Sequence, residues 1–264
     1  MIPFERLPPG FAERIEAPPE PPAEARPAAT AVLLRDGAVG PEVLLLRRHR
    51  SSGFVPGAYV FPGGRVDAAD AGPATLALLD GREPDAEPDA SYIAAAVREV
   101  FEETGVLLAR DAAGRPAADA SAPEFARWRA ALLEDRATLA DVLAALGLRI
   151  AAGDIVYCAH WITPVAEPRR YDTRFFLARL PEGAEASVDE REMTDAVWLR
   201  PTEALERFRA GRLPMVFPTV HTLESLAPFS SVTEALDAFR GCVVTPILPR
   251  LVRRPDGVAI VVDG

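Results

Sequence analysis

The chain has 264 residues, 49% of them hydrophobic and 26% charged, enough to bury a full core as one elaborated domain. Its formal net charge of −10 excludes broad, non-specific adhesion to nucleic acid, which depends on cations that neutralise phosphates. Cys158 and Cys242 sit among apolar neighbours, and His49, His160 and His221 form no HxH or HxxxH pair, so the sequence points away from zinc.

The N-terminal residues 1–26 lack the apolar run of a signal peptide, and no stretch approaches the roughly 18 apolar residues of a membrane span. The expectation is a soluble, cytoplasmic protein with neither a membrane nor a nucleic-acid partner. Pro, Ala and Glu dominate residues 8–28, which predicts a flexible leader over 1–28 and a folded part over 29–264.

Residues 30–34 and 43–47 read as two strands, with Asp36-Gly37 and Gly40-Pro41 turning the chain between them. Val60 and Phe61 form a short strand running into the glycine turn Pro62-Gly63-Gly64. Residues 71–90 hold mostly Ala, Asp, Pro and Gly and read as an irregular insertion. A helix pattern then opens at Ser91 and lasts to about Leu108. A second helical region, about 123–149, breaks near Asp135.

Strand signals return at 154–163, 173–178 and 196–199. Thr202 is an expected N-cap for a helix ending before Gly211, and 218–226 and 233–240 read as further helices. A last strand is predicted at 258–262. Strands and helices mix without a regular βαβ period, which predicts an α/β/α sandwich with a mixed β-sheet and additional helices.

The chemistry concentrates on the helix from Ser91. At about 100° per residue, with Glu99 as zero, Glu102 falls near 300° and Glu103 near 40°. Three carboxylates therefore share one sector, while Ile93, Val97, Val100, Phe101 and Leu108 line the opposite side. Acids this close repel, and a hard divalent cation removes that penalty. Arg98, at i,i+4 from Glu102, is placed to orient it.

The string Arg98-Glu99-Val100-Phe101-Glu102-Glu103-Thr104-Gly105-Val106 resembles the second half of the Nudix box, REUxEExGU with U aliphatic. The first half expects Gly, five residues and Glu. Here Gly64 is followed by Asp70, and the usual seven residues before Arg-Glu are replaced by 27, residues 71–97, an insertion of 20. The interrupted box, together with His160-Trp161-Ile162-Thr163-Pro164 and the run from Pro168 to Phe176, resembles the Nudix branch of peroxisomal-type coenzyme A diphosphatases.

That resemblance implies a Nudix-type fold and metal-dependent hydrolysis of a phosphoanhydride bond in a nucleoside diphosphate joined to another moiety. Coenzyme A and its acyl esters are the expected substrates, with ADP-ribose, NADH and dinucleoside polyphosphates as alternatives and a catalytically silent nucleotide sensor as a different class. The expected cofactor is Mg²⁺ or Mn²⁺, held by Glu99, Glu102, Glu103 and the backbone at Gly64, with Arg98 supporting.

Glu190 and Glu192 are the candidate general bases outside the helix. Arg169, Arg170, Tyr171 and Arg174 are the expected substrate contacts, since they bring local positive charge and a stacking ring to an acidic chain. Trp161 is a further stacking candidate, whereas Phe175 and Phe176 read as core. The helices within 123–149 are candidates for capping the substrate site or for forming a homodimer surface.

Overall fold

The computed structural model describes residues 10–50, 55–82, 86–117, 123–188 and 192–262; Glu190 lies outside them. In chain order the elements are α1 (Phe11–Glu16), β1 (Ala25–Gly37), β2 (Gly40–Arg48), β3 (Tyr59–Val60), β4 (Gly63–Arg65), α2 (Pro73–Leu76), α3 (Ala90–Thr104), β5 (Ala109–Arg110), α4 (Pro123–Leu133) and α5 (Leu139–Leu146). The chain continues through β6 (Arg149–Ile150), β7 (Val156–Ile162), β8 (Arg170–Arg179), β9 (Met193–Leu199), α6 (Pro201–Arg209), α7 (Phe217–Leu226), α8 (Val232–Phe239), β10 (Pro246–Ile247), β11 (Arg250–Arg254) and β12 (Gly257–Val261).

One mixed sheet organises the molecule, in the order β10-β7-β8-β1-β2-β3, with β4 also on β1 and β9 also on β2. β1 pairs β8 in parallel, whereas its pairings with β2 and β4 are antiparallel. Side chains alternate across β1: Ala29, Ala31 and Leu33 face one core, Val32 and Leu34 the other. The first core is closed by α3, α4 and α5, the second by α6, α7 and α8. This is the expected α/β/α sandwich.

Helix α3 packs through the predicted stripe. Ile93, Val97, Val100 and Phe101 are buried against Ala29, Ala31, Leu44 and Phe176; truncating a ring such as Phe101 would cost about 3–5 kcal/mol. Asp89 caps its start by accepting the Ser91 N–H at 2.9 Å. Gly105, in the left-handed region at φ 73°, ends the helix four residues before the apolar pattern does. Leu108 is therefore buried beyond the helix rather than on its stripe.

Three other boundaries move. The expected leader takes part in the fold: α1 buries Phe11, Arg14 Nε donates to Ala166 O at 3.1 Å, and β1 begins at Ala25. Inside the insertion, the short α2 replaces the expected irregular stretch. At α6 the helix starts with Pro201 after Arg200, not after Thr202, because the fixed φ of proline suits the first helical position.

The α4–α5 pair breaks as predicted at Asp135, which has φ 53°. It buttresses α3: Phe125 meets Phe101 edge-on at 6.3 Å, and Arg129 Nε donates to Glu102 O at 2.9 Å. That bond supplies a cation to a carbonyl in the last turn of the helix.

Candidate active site

Arg98 is the hub of the acidic helix face. It is 7% exposed, and its Nε donates to the Asp70 carboxylate at 3.0 and 3.3 Å while Nη2 reaches the same group at 3.0 Å. Nη1 donates to both Glu99 and Glu102 at 2.9 Å, and Nη2 to Arg65 O at 2.7 Å. Burial alone would make the guanidinium easier to deprotonate, but the Asp70 hydrogen bond and the charges of Glu99, Asp70 and Glu102 outweigh it and raise its pKa.

Asp70 thus has a definite place. Its carboxylate is 1% exposed, also accepts the Asp67 N–H at 2.8 Å, and holds the arginine from below. The shorter acid and the long spacing to Arg98 still close the contact, because α2 and the insertion return the chain to the helix.

Glu103 points elsewhere, into the sheet, where it accepts the Gly63 N–H at 3.1 Å. Burial, and next the charge of Glu99, push its pKa well above the ordinary carboxylate range. Burial also raises Glu99 against the opposing pull of Arg98, and raises Glu102 to about 7. Three close acids, Glu103 buried and Glu99 and Glu102 half-buried, resist ionising together and would be relieved by a divalent cation.

The glycine turn is required by close approach. A Cβ on Gly64 would lie 2.3 Å from Glu99 Oε1, and one on Gly63 would lie 2.4 Å from Ala29 O. The backbone of β4 therefore reaches the carboxylates without obstruction. Among the described residues, no three His, Cys, Asp or Glu side chains already form a metal-ligand cluster. Glu99 and Glu102 turn to Arg98 while Glu103 turns to Gly63, yet hard oxygen donors on one helix face beside an open backbone fit a hard divalent cation.

Glu192 is exposed at the start of β9, with its carbonyl accepting the His49 N–H at 2.8 Å. Its charge adds to the raised pKa of Glu103, after the larger effects of burial and Glu99, which raise it, and of the Gly63 bond and Arg48, which lower it.

The arginine-aromatic strand separates by face. Along β8, Asp172 and Arg174 share the α3 side with Phe176, whereas Tyr171 falls on the other side with Phe175. Tyr171 and Arg174 therefore cannot converge on one ligand. Arg170 is buried and spends its donors on Thr163 O at 3.0 Å and Ala23 O at 2.7 Å, which makes it a structural tie rather than the expected substrate contact. Arg169 is exposed just before β8. Trp161 is core, packed edge-on against Phe217 and His221.

Arg174 is the member that lies on the acids' side. Strand register forms a row from Gly64 to Ala29, Arg174, His160 and Pro246; two strand spacings put Arg174 about 10 Å from Gly64. Its guanidinium lies 4.4 Å from the centre of the Tyr92 ring and pairs with Asp172, which also contacts His160 Nε2. Burial, aided by the charge of Arg174, lowers the pKa of His160 against the pull of Asp172. The Nε of Arg174 is buried without a hydrogen-bond partner.

A family model described as the NUDT19 Nudix domain matches residues 82–226, and one described as the NUDIX domain matches residues 24–135. This chain belongs to the Nudix family. The Nudix hydrolase of Alicyclobacillus acidocaldarius is 33% identical with a TM-score of 0.75, over 84% of this chain and 99% of that one. Acyl-coenzyme A diphosphatase NUDT19 of Gallus gallus is 31% identical over 78% of this chain and 69% of its own length. The Homo sapiens protein of the same name is 28% identical over 86% and 72%.

Membership makes this Nudix protein a pyrophosphohydrolase, and its acidic helix with Arg98 is the part of the box read from sequence. Tyr92, His160 and Asp172 were not legible as neighbours of that site. The only signal for them was the period of two along β8, which separates Arg174 from Tyr171 and, through strand pairing, sets His160 beside it. No helix among the described residues is long and apolar enough to cross a membrane.

Proposed function

We propose that this Nudix hydrolase is a divalent-cation-dependent diphosphatase that cleaves the phosphoanhydride bond of coenzyme A or its acyl thioesters. The observation that carries the reading is the Arg98-centred set of acids: Glu99 and Glu102 are held by one guanidinium, with Glu103 beside them on the Gly63 N–H. The names of the chicken and human relatives support the choice of substrate.

Mg²⁺ or Mn²⁺ bound by Glu99, Glu102, Glu103 and the backbone at Gly64 would neutralise phosphate oxygens and make the attacking water more acidic. Arg98, fixed by Asp70, keeps Glu99 and Glu102 in place so that they need not reorganise during the reaction. Arg174 supplies the fixed positive charge for a phosphate, and Glu192 is the base that takes the proton of the water. Both cysteines are free, which fits a reducing, cytoplasmic setting.

Coenzyme A, an acyl-coenzyme A, ADP-ribose, NADH and a dinucleoside polyphosphate, each incubated with Mg²⁺ or Mn²⁺ and read by mass spectrometry, test the reading. Phosphopantetheine, or its acyl form, together with the adenosine bisphosphate is the expected product pair. Faster cleavage of ADP-ribose or NADH would reassign the substrate, and binding without cleavage of any would make the protein a sensor.

A further inference from the structure

On the sheet face that carries the acids, a cavity of about 280 Å³ opens under the insertion. Its floor is apolar, from Ile93, Ile155, Val156 and Phe176, and its other wall comes from Arg82, Ala86, Glu87 and Pro88. Tyr157 stands at one side, 5.7 Å from the Phe176 ring centre, and feels the charges of Arg174, Asp172 and Glu87. Phe176 lies two residues beyond Arg174 on the same face of β8, and Ile93 follows Tyr92 on α3, so the cavity adjoins the Arg174–Tyr92 pair.

At its far side Ile155 and Arg240 also line a second cavity, of about 460 Å³. That space is walled by Leu108, Ala109, Ala178, Leu180, Pro181 and Leu236, and arginines and acids, among them Arg179 and Asp237, also line it. The succession along β8 is thus Arg174 on the side of the acids, the narrow half-polar cavity at Phe176, and the wider cavity at Ala178, Leu180 and Pro181, which α8 closes from the second core. A polar diphosphate end and a long, uncharged, increasingly apolar tail would match it in that order.

We propose that the two cavities in series receive the thioester arm of the substrate, its amide-bearing part under the insertion and its acyl chain in the wider space beyond Ile155. The proposal rests on the coenzyme A reading of the active site. It gives the insertion that interrupts the Nudix box a role: Gly81, Arg82, Ala86, Glu87 and Pro88 wall the channel that the acyl arm occupies. Specificity for acylated over free coenzyme A would then come from apolar area removed from water, at a site separate from the chemistry.

Cys242 provides a probe, because its exposed thiol lines the first cavity, whereas the thiol of Cys158 is buried and its pKa is pushed up by that burial. Alkylation of Cys242 is followed by mass spectrometry with EDTA present, at ligand concentrations shown to be saturating by equilibrium dialysis. A long-chain acyl-coenzyme A is expected to slow the reaction about tenfold, S-methyl-coenzyme A, which has no free thiol to consume the reagent, less, and ADP-ribose not at all. In parallel, Cys242→Trp should raise the KM for the long-chain ester several-fold more than that for coenzyme A.

Wild-type cleavage of coenzyme A esters with an unprotected thiol, or with the same chain-length dependence of KM in Cys242→Trp, would overturn the channel while leaving the catalytic reading standing. Failure of the wild type to bind or cleave any coenzyme A derivative would overturn the catalytic reading, and the channel with it.

Discussion

Arg98 and Asp70 lie 28 positions apart and meet through three donor-acceptor contacts of 3.0 to 3.3 Å, with Asp70 only 1% exposed. Removing Asp70 leaves Nε of the buried guanidinium without an acceptor while Glu99 and Glu102 still offset its charge, at a cost of about 1–3 kcal/mol. Asp70→Ala should therefore lose about that much stability in urea denaturation, and turnover should fall because Glu99 and Glu102 lose their common anchor. A change within about 0.5 kcal/mol would show that Arg98 finds another partner.

Gly64 is set by the space that Glu99 takes. Its φ is not in the left-handed region, so alanine costs little in backbone strain, but the added Cβ would sit 2.3 Å from Glu99 Oε1. Gly64→Ala should keep a cooperative unfolding transition while kcat falls about a hundredfold, the scale for an ångström of misplacement. Unchanged kcat would mean that Glu99 moves aside without consequence.

Asp36 tests the electrostatics of the other end of the sheet. It accepts the Val232 N–H at 2.8 Å and pairs with Arg179 at 2.6 Å, and these partners, the Val232 bond first, lower its pKa. A folded pKa below the unfolded value of about 3.9 stabilises the fold above that value, and the stabilisation is lost as pH falls through the folded one. The Tm difference between wild type and Asp36→Asn should thus be full at pH 7 and shrink below about pH 4. A gap that stays constant down to pH 2.5 would rule out ionisation as its source.

How far the sequence could be read follows from where the information lies. The acids of α3 and the stripe opposite them are local, three to four residues apart, so one helical period exposes both. Asp70 could not be assigned that way, because 27 residues intervene before Arg98 and only the folded path of the insertion returns it. The run Arg169, Arg170, Tyr171 and Arg174 looked like one recognition surface, yet strand alternation sends Tyr171 to the opposite face and main-chain carbonyls claim Arg170.

Other misses have similar causes. Gly105 overrode a continuing apolar pattern, since a left-handed residue ends a helix whatever follows it. Helix α1 gave little warning, because a single buried ring, Phe11, secures it within a proline-rich stretch. β11, Arg250–Arg254, carries three arginines in five positions and shows little apolar alternation, but pairs with β12.

Arg174 offers a further test of the phosphate assignment. Arg174→Ala should raise the KM for coenzyme A about tenfold or more, since a charge-assisted contact contributes about 1.5–3 kcal/mol. Arg169→Ala, which alters an exposed residue ahead of the strand, should change it less than threefold. Equal effects from the two variants would remove Arg174 from the site.

The most direct test is Glu103→Gln, assayed beside wild type on coenzyme A with Mg²⁺ by product mass spectrometry. Glutamine keeps an oxygen that can accept the Gly63 N–H, so the thermal transition should persist while metal-dependent turnover falls about a thousandfold. A folded Glu103→Gln variant with near-wild-type kcat would contradict the assignment of the α3 carboxylates as the cation site.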